Sequence, residues 1–208
     1  MARVPSPERL FDVFGGIDIY LFDQVLRGRI TSTMRVLDAG CGSGRNMVYL
    51  IHAGVAVSGI DADADAVAAA RAQAATLGLA DAQARIVQGA VDALPWPDAS
   101  FDAVISSAVL HFARDDAHFV AMVREMWRVL APGGLLFCRL ASSEGIAHQV
   151  TPVGNRRFML PDGSCRFLVD ASMLIGLTTR LGGELVDPIR TTLVHDQRAM
   201  TTWVLRRS

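Results

Sequence analysis

The chain has 208 residues, enough for one domain with a central sheet covered on both faces. Hydrophobic residues make up 51% of it and charged residues 20%, a balance that favours an α/β fold whose strands are buried on both sides. The formal net charge of −1 argues against a general nucleic-acid binder, which usually carries a basic patch.

Membrane and metal-binding classes are also disfavoured. No apolar run approaches the length of a membrane span, and charges stand near the N-terminus, where a signal peptide would be apolar. The three cysteines, Cys41, Cys138 and Cys165, form an odd set without the spacing of metal ligands. We therefore expect a cytoplasmic protein with reduced thiols and no metal site, and the oligomeric state stays open.

The N-terminal part is predicted to be an irregular lead-in over residues 1–10, followed by an apolar segment from Phe11 to Ile30. Gly15-Gly16 interrupts the helical spacing of that segment, so a helix is expected to begin near Asp18. The segment could lie over a ligand as a lid or pack on the sheet as a helix. Its candidate ligand-facing residues are Phe14, Tyr20, Phe22 and Asp23.

The most informative stretch begins with a short apolar strand, Arg35 to Ala39, and runs into glycines at alternate positions before a helical pattern. These are Gly40, Gly42 and Gly44. Without a Cβ, the backbone can turn tightly and sit against a ligand with no side chain between. The stretch predicts a ligand-binding loop.

Acidic residues stand at the ends of two predicted strands. Asp38 precedes the first glycine, and a second strand, Ala56 to Ile60, ends in Asp61. A carboxylate there suits a ribose, because it can accept hydrogen bonds from both hydroxyls. We therefore predict a nucleoside pocket at the carboxyl edge of a parallel sheet.

The middle of the chain alternates between helices and strands. Asp63 is a predicted N-cap for an alanine-rich helix ending at Gly78. Three further strands are expected over residues 85–88, 101–106 and 135–140. The helix before the last of these has the apolar stripe Phe119, Met122, Val123, Met126 and Leu130, and residues 131–134 should end it. The alternation predicts right-handed crossovers and a parallel sheet.

The C-terminal part differs. Residues 141–167 are polar and rich in glycine and proline, and a long loop is expected there. A helix from Asp170 to Leu181 follows. Two strands, Thr191 to His195 and Ala199 to Arg206, are separated by so short a joint that they must pair antiparallel.

Four motifs resemble those of class I S-adenosylmethionine (SAM) dependent methyltransferases, and together they span roughly residues 34–140. Residues 38–44 resemble the first motif and residues 57–61 the second. Residues 89–102 are similar to the third region of the small-molecule branch, and residues 125–134 to the turn before the fifth strand. Four motifs in the family's order are a far more specific signal than a glycine triplet.

Two shorter similarities point to particular branches of the family. Gly44-Arg45-Asn46 and residues 167–170 resemble tellurite-resistance methyltransferases, and the third region resembles enzymes of ubiquinone and menaquinone biosynthesis. Arg45 has an equally simple alternative role, holding an acidic neighbour at the start of a helix.

The resemblance implies a Rossmann-like α/β fold. Its seven-stranded sheet would be mostly parallel with an antiparallel C-terminal hairpin, and helices would cover both faces. Residues 1–208 are then a single methyltransferase domain. Its parts are an N-terminal lid or helical segment (1–33), a SAM-binding core (34–140), an acceptor-side insert (141–169) and the last helix with the hairpin (170–208).

The resemblance also implies the cofactor, SAM, and its ligands. Residues expected to bind it are Asp38, Gly40, Cys41, Gly42, Gly44, Asn46, Asp61, Ala62, Ala90, Val91 and Ser106. The sequence departs from the family at one point, because Ala90 follows Gly89 where an adenine-contacting Asp is common. Adenine would then meet the backbone of Ala90 or Val91, or the carboxylate of Asp92.

Methyl transfer from a sulfonium mainly requires alignment, exclusion of water and, for some acceptors, removal of a proton. His111, after the fourth strand, and His195, at the end of the sixth, are the candidate bases. Either could instead only line the pocket. An anionic acceptor could be held by arginines, and the candidates are Arg139, Arg156, Arg157 and Arg166.

Three functions remain open from the sequence. The first is methyl transfer from SAM to a small-molecule acceptor, giving S-adenosylhomocysteine (SAH). The second is a non-catalytic SAM-binding or regulatory protein. An NAD-dependent oxidoreductase is disfavoured, because residues 40–44 lack the Gly-x-Gly-x-x-Gly spacing. No nucleic-acid acceptor is expected, since Ser106-Ser107-Ala108-Val109 stands where Asn-Pro-Pro-Tyr would mark one.

Overall fold

The computed structural model describes residues 7–208. It divides into two compact units, one ending at Ala90 and one from Val91 to Ser208. No helix of the described residues is long and apolar enough to cross a membrane. The cytoplasmic location expected from the sequence stays a prediction.

The first unit contains three parallel strands and five helices. They are α1 (Pro7–Phe14), α2 (Ile19–Leu26), β1 (Arg35–Ala39), α3 (Met47–His52), β2 (Ala56–Asp61), α4 (Ala64–Thr76), α5 (Ala82–Arg85) and β3 (Ile86–Gln88). β2 pairs in parallel with both β1 and β3. The carboxyl ends of β1 and β2 therefore lie side by side, and the glycine loop follows directly from β1.

Two aspartates determine where helices of this unit begin. Asp18 caps α2 by accepting from the backbone N–H of Tyr20 and Leu21, and Asp63 caps α4 in the same way. Both helix starts were predicted and are confirmed. The irregular lead-in over residues 1–10 is wrong from Pro7 onward, where α1 begins. A proline is tolerated in the first turn of a helix, because the N–H it lacks would have no intrahelical partner.

The second unit contains two helices, a 3₁₀ turn and eight strands. They are β4 (Phe101–Ser107), the 3₁₀ turn (Leu110–Phe112), α6 (Asp116–Val129), β5 (Leu130–Ser142), β6 (Thr151–Gly154), β7 (Arg157–Met159), β8 (Cys165–Phe167), α7 (Ala171–Arg180), β9 (Gly183–Leu185), β10 (Arg190–Val194) and β11 (Arg198–Arg207). β4 and β5 are parallel, and β11 is antiparallel to β5, β10 and β9.

The mostly parallel, Rossmann-like α/β architecture and its antiparallel C-terminal hairpin agree with the sequence. The strand count does not. The first unit has three strands and the larger sheet of the second unit has five, eight in total where seven were predicted. The additional strand, β9, has only three residues and contains Gly183, so no alternating pattern marks it.

The predicted long loop over residues 141–167 is wrong. Part of it forms a separate antiparallel sheet in the order β6-β7-β8. These strands have only three or four residues each, and β6 contains Pro152 and Gly154, both of which obscure a strand pattern. A small apolar cluster packs beside them; its members are Ala141, Leu160, Leu168, Val150, Phe158 and Met200.

Candidate active site

The glycine loop after β1 adopts backbone angles that favour glycine. Gly40, Gly42 and Gly44 have φ values of 84°, 53° and 90°. The backbone N–H groups of Gly40 and Cys41 both donate to the carbonyl oxygen of Ile60, at 2.8 and 2.9 Å, which ties the loop to β2. A Cβ built on Gly42 would have no neighbouring atom within 4 Å. The loop thus presents an open backbone face at this residue.

Asp61 is oriented by two backbone donors. Its Oδ2 accepts from the N–H of Gly42 at 2.8 Å, and its Oδ1 accepts from the N–H of Asp63 at 3.0 Å. Each carboxylate oxygen can accept a second hydrogen bond. The carboxylate at the end of β2 is therefore fixed in place, half-buried, and still able to accept from a pair of vicinal hydroxyls.

Asp38 is the most unusual group of the first unit. Its side chain is completely buried, and neither carboxylate oxygen has a hydrogen-bond partner among the described residues. Burial raises the pKa of Asp38 to about 7, with Arg45 opposing the rise and Asp61 adding to it. A buried carboxylate without a donor is costly. A cationic ammonium or a hydroxyl of a bound ligand would supply what it lacks, so the group fits the amino-acid part of SAM.

The other predicted cofactor ligands of this unit have structural partners of their own. Asn46 is buried, and its Oδ1 accepts from the N–H of Asp18 at 2.9 Å, which fixes the start of α2. Burial, with Asp38 and Asp61, raises the pKa of the Cys41 thiol well above its usual range. The carbonyl of Ala62 accepts from Gln88 Nε2 at 3.2 Å. Their cofactor contacts, and that of Ala90, stay predictions.

In the second unit, the alternatives for adenine differ in their surroundings. Asp92 Oδ2 lies 3.3 Å from His118 Nε2 and 4.0 Å from an Arg114 nitrogen, so its carboxylate already has partners within the second unit. Val91 is buried. Ser106 is also buried on β4, and its Oγ has no hydrogen-bond partner within residues 7–208.

The segment of the third motif is held by a helix residue. Arg128 donates to the carbonyls of Leu94 and Trp96, at 3.0 and 2.9 Å, and to Asp98 at 2.8 Å. Glu125 accepts from Arg128 and from the N–H of Leu94. Arg128 therefore holds the third motif against α6. Because Glu125 and Arg128 belong to the fourth motif, residues 125–134, this motif has a structural role.

His111 lies in the 3₁₀ turn after β4 and is buried. Its Nδ1 accepts from the backbone N–H of Ala141 at 3.3 Å, an arrangement that assigns the proton of the neutral ring to Nε2. Burial, followed by the nearby charges of Arg166 and Arg198, lowers the pKa of His111 to about 4. A neutral ring with its free lone pair already used is suited to donating a hydrogen bond.

His111 belongs to a cavity of about 280 Å³ within the second unit. Its ionisable lining residues are His111, Arg139, Asp162, Arg166 and Arg198. Two of these, Asp162 and Arg198, were not singled out from the sequence. They lie in the 141–169 insert and at the start of β11, and only the folding of the small sheet and hairpin brings them together.

Two predicted site residues lie elsewhere. The structure corrects the expected strand-end position of His195: this residue is exposed in the turn between β10 and β11, with a φ of 47°, and does not line the cavity. The N–H of Gln197 donates to the carbonyl of Val194, and two left-handed residues between them form the turn. Arg156 pairs with Asp170 at 2.9 Å and Asp116 at 3.4 Å. Neither Arg156 nor Arg157, on β7, lines this cavity.

Comparison with known proteins identifies the family of the chain. Residues 37–138 match the methyltransferase domain family. The chain belongs to the class I SAM-dependent methyltransferases, and SAM is the cofactor of that family. Residues 7–208 contain no cluster of three or more His, Cys, Asp or Glu side chains that could hold a metal ion.

Individual relatives match different fractions of the chain. It is 38% identical over 130 residues to the 27-O-demethylrifamycin SV methyltransferase of Amycolatopsis mediterranei, covering 58% of this chain and 46% of that protein. It is 30% identical over 181 residues to the tRNA U34 carboxymethyltransferase of Idiomarina loihiensis, covering 85% and 54%. The chain thus spans about half the length of these curated relatives.

Solved structures support the same architecture. A SAM-dependent methyltransferase from Methanosarcina mazei superposes with a TM-score of 0.71 at 21% identity, covering 88% of this chain and 96% of that one. At this identity the likeness concerns the fold.

Proposed function

We propose that this protein transfers the methyl group of SAM to a small-molecule acceptor and releases SAH. The observation that carries the proposal is the buried carboxylate of Asp38, beside a glycine loop and an oriented Asp61. Residues 7–208 offer this carboxylate no hydrogen-bond donor. A ligand with an ammonium group and a ribose satisfies both carboxylates. NAD offers no primary ammonium for Asp38, which weighs against the oxidoreductase alternative.

Each of these residues has a distinct part in binding. Asp61 accepts from the ribose hydroxyls, Asp38 holds the ammonium, and the backbone at Gly42 approaches the ligand without a side chain between. SAM, when bound, supplies an electrophilic methyl carbon on a sulfonium. The protein aligns the acceptor and excludes water, which is most of what such a displacement requires.

A small acceptor is consistent with the cavity of about 280 Å³ around His111, a volume at the lower end of small-molecule pockets. The similarity to an enzyme named for a demethylrifamycin substrate points the same way. The longer match to a tRNA-modifying enzyme makes tRNA the alternative acceptor to test. The net charge of −1 is unfavourable for binding tRNA.

The proposal is tested in two steps. Calorimetry with SAH measures cofactor binding, and micromolar affinity is expected for the wild type but not for Asp61→Ala. A screen for SAH release then offers SAM with thiols, phenols, amines, carboxylates, tellurite or selenite, and unmodified tRNA.

The outcomes distinguish the proposed function from its alternatives. SAH release with a small molecule supports the proposal, and release with tRNA alone replaces the small acceptor by a nucleic acid. Tight SAH binding without release for any acceptor supports the non-catalytic alternative. Binding of NAD in place of SAH would overturn the cofactor assignment.

A further inference from the structure

The cavity around His111 has a strongly positive lining. Arg139 from β5, Arg166 from β8 and Arg198 from β11 line it, and Asp162 contributes one carboxylate. The four charged side chains together carry a net charge of +2, whereas the whole chain carries −1. This cavity therefore concentrates positive charge that is balanced elsewhere on the molecule.

Two of the charged groups are held in position by local contacts. Arg166 donates to the carbonyl of Cys165 at 2.9 Å, and its guanidinium lies 4.8 Å from the centre of the Phe112 ring. Asp162 accepts from the N–H and the Oγ of Ser164, at 2.9 and 2.6 Å. The hydrogen bond from Ser164 keeps the pKa of Asp162 low, so its carboxylate is ionised and offsets one arginine.

His111 adds a directed donor to the same cavity. Because its Nδ1 already accepts from the N–H of Ala141, the neutral ring has its proton on Nε2. The ring has no lone pair left with which to remove a proton from an acceptor. It can, however, donate one hydrogen bond from Nε2 to an oxygen.

We propose that this cavity binds the methyl acceptor as a small anion, with its carboxylate or other oxyanion held by Arg139, Arg166, Arg198 and the Nε2–H of His111. The inference rests on the proposed function, since it identifies the acceptor class of that activity. Arginine suits this role, because its guanidinium can donate two parallel hydrogen bonds to an oxyanion.

The remaining lining limits the size and shape of the acceptor. Leu160, Ala141 and Met200 contribute an apolar part of the lining, which suits a compact hydrocarbon body. A volume of about 280 Å³ lies at the lower end of ligand pockets. A carboxylate on a single ring or a short chain satisfies both the apolar part of the lining and the charged groups.

The transfer step balances without a base from the cavity when the attacking atom belongs to a carboxylate or a neutral amine. The attacking atom of the acceptor uses a lone pair that it already has, and a bond forms between that atom and the methyl carbon. The carbon–sulfur bond breaks at the same time, and its electron pair stays on sulfur. A neutral amine that attacks in this way gives up its proton to solvent after the transfer.

The test compares matched charged and neutral ligands. Acetate, benzoate and 2-hydroxybenzoate are titrated calorimetrically into the SAH-saturated protein beside acetamide, benzamide and 2-hydroxybenzamide. At least one acid is expected to bind at least tenfold more tightly than its amide. The difference should vanish in the double variant Arg166→Gln/Arg198→Gln.

Arg180→Gln is the matched control, because Arg180 is exposed at the end of α7 and does not line this cavity. It removes the same charge from the same unit and should leave the preference intact. Amides that bind as tightly as the acids, a preference that survives in the double variant, or no binding of any acid would each overturn the inference.

A turnover assay with the same ligands separates this inference from the proposed function. SAH release with neutral acceptors only would retain methyl transfer and contradict the anionic class. Binding of acids, with tight SAH binding but no SAH release for any acceptor, would contradict methyl transfer and, with it, the assignment of the bound anion as acceptor. SAH release that requires an acid supports both.

Discussion

The Oδ2 atom of Asp61 accepts a hydrogen bond of 2.8 Å from the backbone N–H of Gly42, nineteen residues earlier in the chain. This bond joins the end of β2 to the glycine loop that follows β1. Two residues that the sequence assigned separately to the cofactor therefore hold each other in place. Replacing either one should disturb the same site.

Removing the Asp61 carboxylate is expected to weaken SAH binding tenfold to a hundredfold. Asp61→Ala leaves the ribose hydroxyls without an acceptor, a loss of about 1.5–3 kcal/mol for hydrogen bonds to a charged group. Calorimetry with SAH measures the change. Asp63→Ala is the control, since Asp63 caps α4 and its loss costs about 1 kcal/mol of stability without removing a ligand. Equal SAH affinity in wild type and folded Asp61→Ala would contradict the assignment.

A methyl group on Gly42 should block the cofactor. The added Cβ meets no protein atom within 4 Å, so it would project from the open face of the loop. Gly28→Ala is the matched control, because Gly28 also has a positive φ, 68°, and open space at its Cβ position. Both variants should lose about 1 kcal/mol of stability from backbone strain. Only Gly42→Ala should lose SAH binding, and similar affinities for both would place the cofactor elsewhere.

Asp38 should make the ligand-free protein less stable as the pH rises. Its pKa is about 7 in the folded protein against an ordinary 3.8, so between these values the folded state binds the extra proton and stability falls as pH increases. The difference corresponds to about 4 kcal/mol above pH 7. Asp38→Asn should therefore raise the stability at pH 8 in urea unfolding and change it little at pH 4. An unchanged stability at pH 8 would contradict the raised pKa.

The same carboxyl predicts a proton linked to binding. An ammonium next to Asp38 favours its ionised form, so SAH binding at pH 6 should release up to one proton from this group. Calorimetry in buffers of different ionisation enthalpy measures the release. Asp38→Asn should abolish that contribution and weaken binding, whereas the conservative control Asp65→Asn, on the exposed first turn of α4, should change neither.

His111→Gln tests whether the imidazole donates a hydrogen bond or removes a proton. Gln retains a donor near the Nε2 position, so the variant should keep turnover within about tenfold of the wild type if donation matters. Loss of a general base would instead cost about 10²–10⁴-fold in turnover. Turnover of His111→Gln and His111→Leu with the identified acceptor distinguishes the roles. A loss as large in Gln as in Leu would favour the base.

Local signals in the sequence made several features of both units predictable. The strand Arg35–Ala39 was predicted with its observed ends, because an apolar run ends at a glycine. Asp18 and Asp63 precede helical patterns and cap them. The short joint between β10 and β11 left antiparallel pairing as the only arrangement. Each of these features depends on neighbours along the chain.

Features that depend on distant neighbours were not predicted. The strands of the small sheet have three or four residues, too few to show a period. The sequence did not indicate that Arg198 lines the cavity, because its place there depends on how the hairpin folds. The proton on His111 is assigned by the N–H of Ala141, thirty residues away. Only the tertiary structure brings such partners together.

The apolar cluster beside the small sheet shares three residues with the cavity lining. Ala141, Leu160 and Met200 belong to that cluster and also line the cavity. Exchange of one aliphatic side chain for another at these positions would reshape the ligand cavity while the glycine loop and its carboxylates stayed untouched. The protein could thus acquire a preference for a different acceptor, in an evolving lineage or in a designed library, without losing its methyl donor.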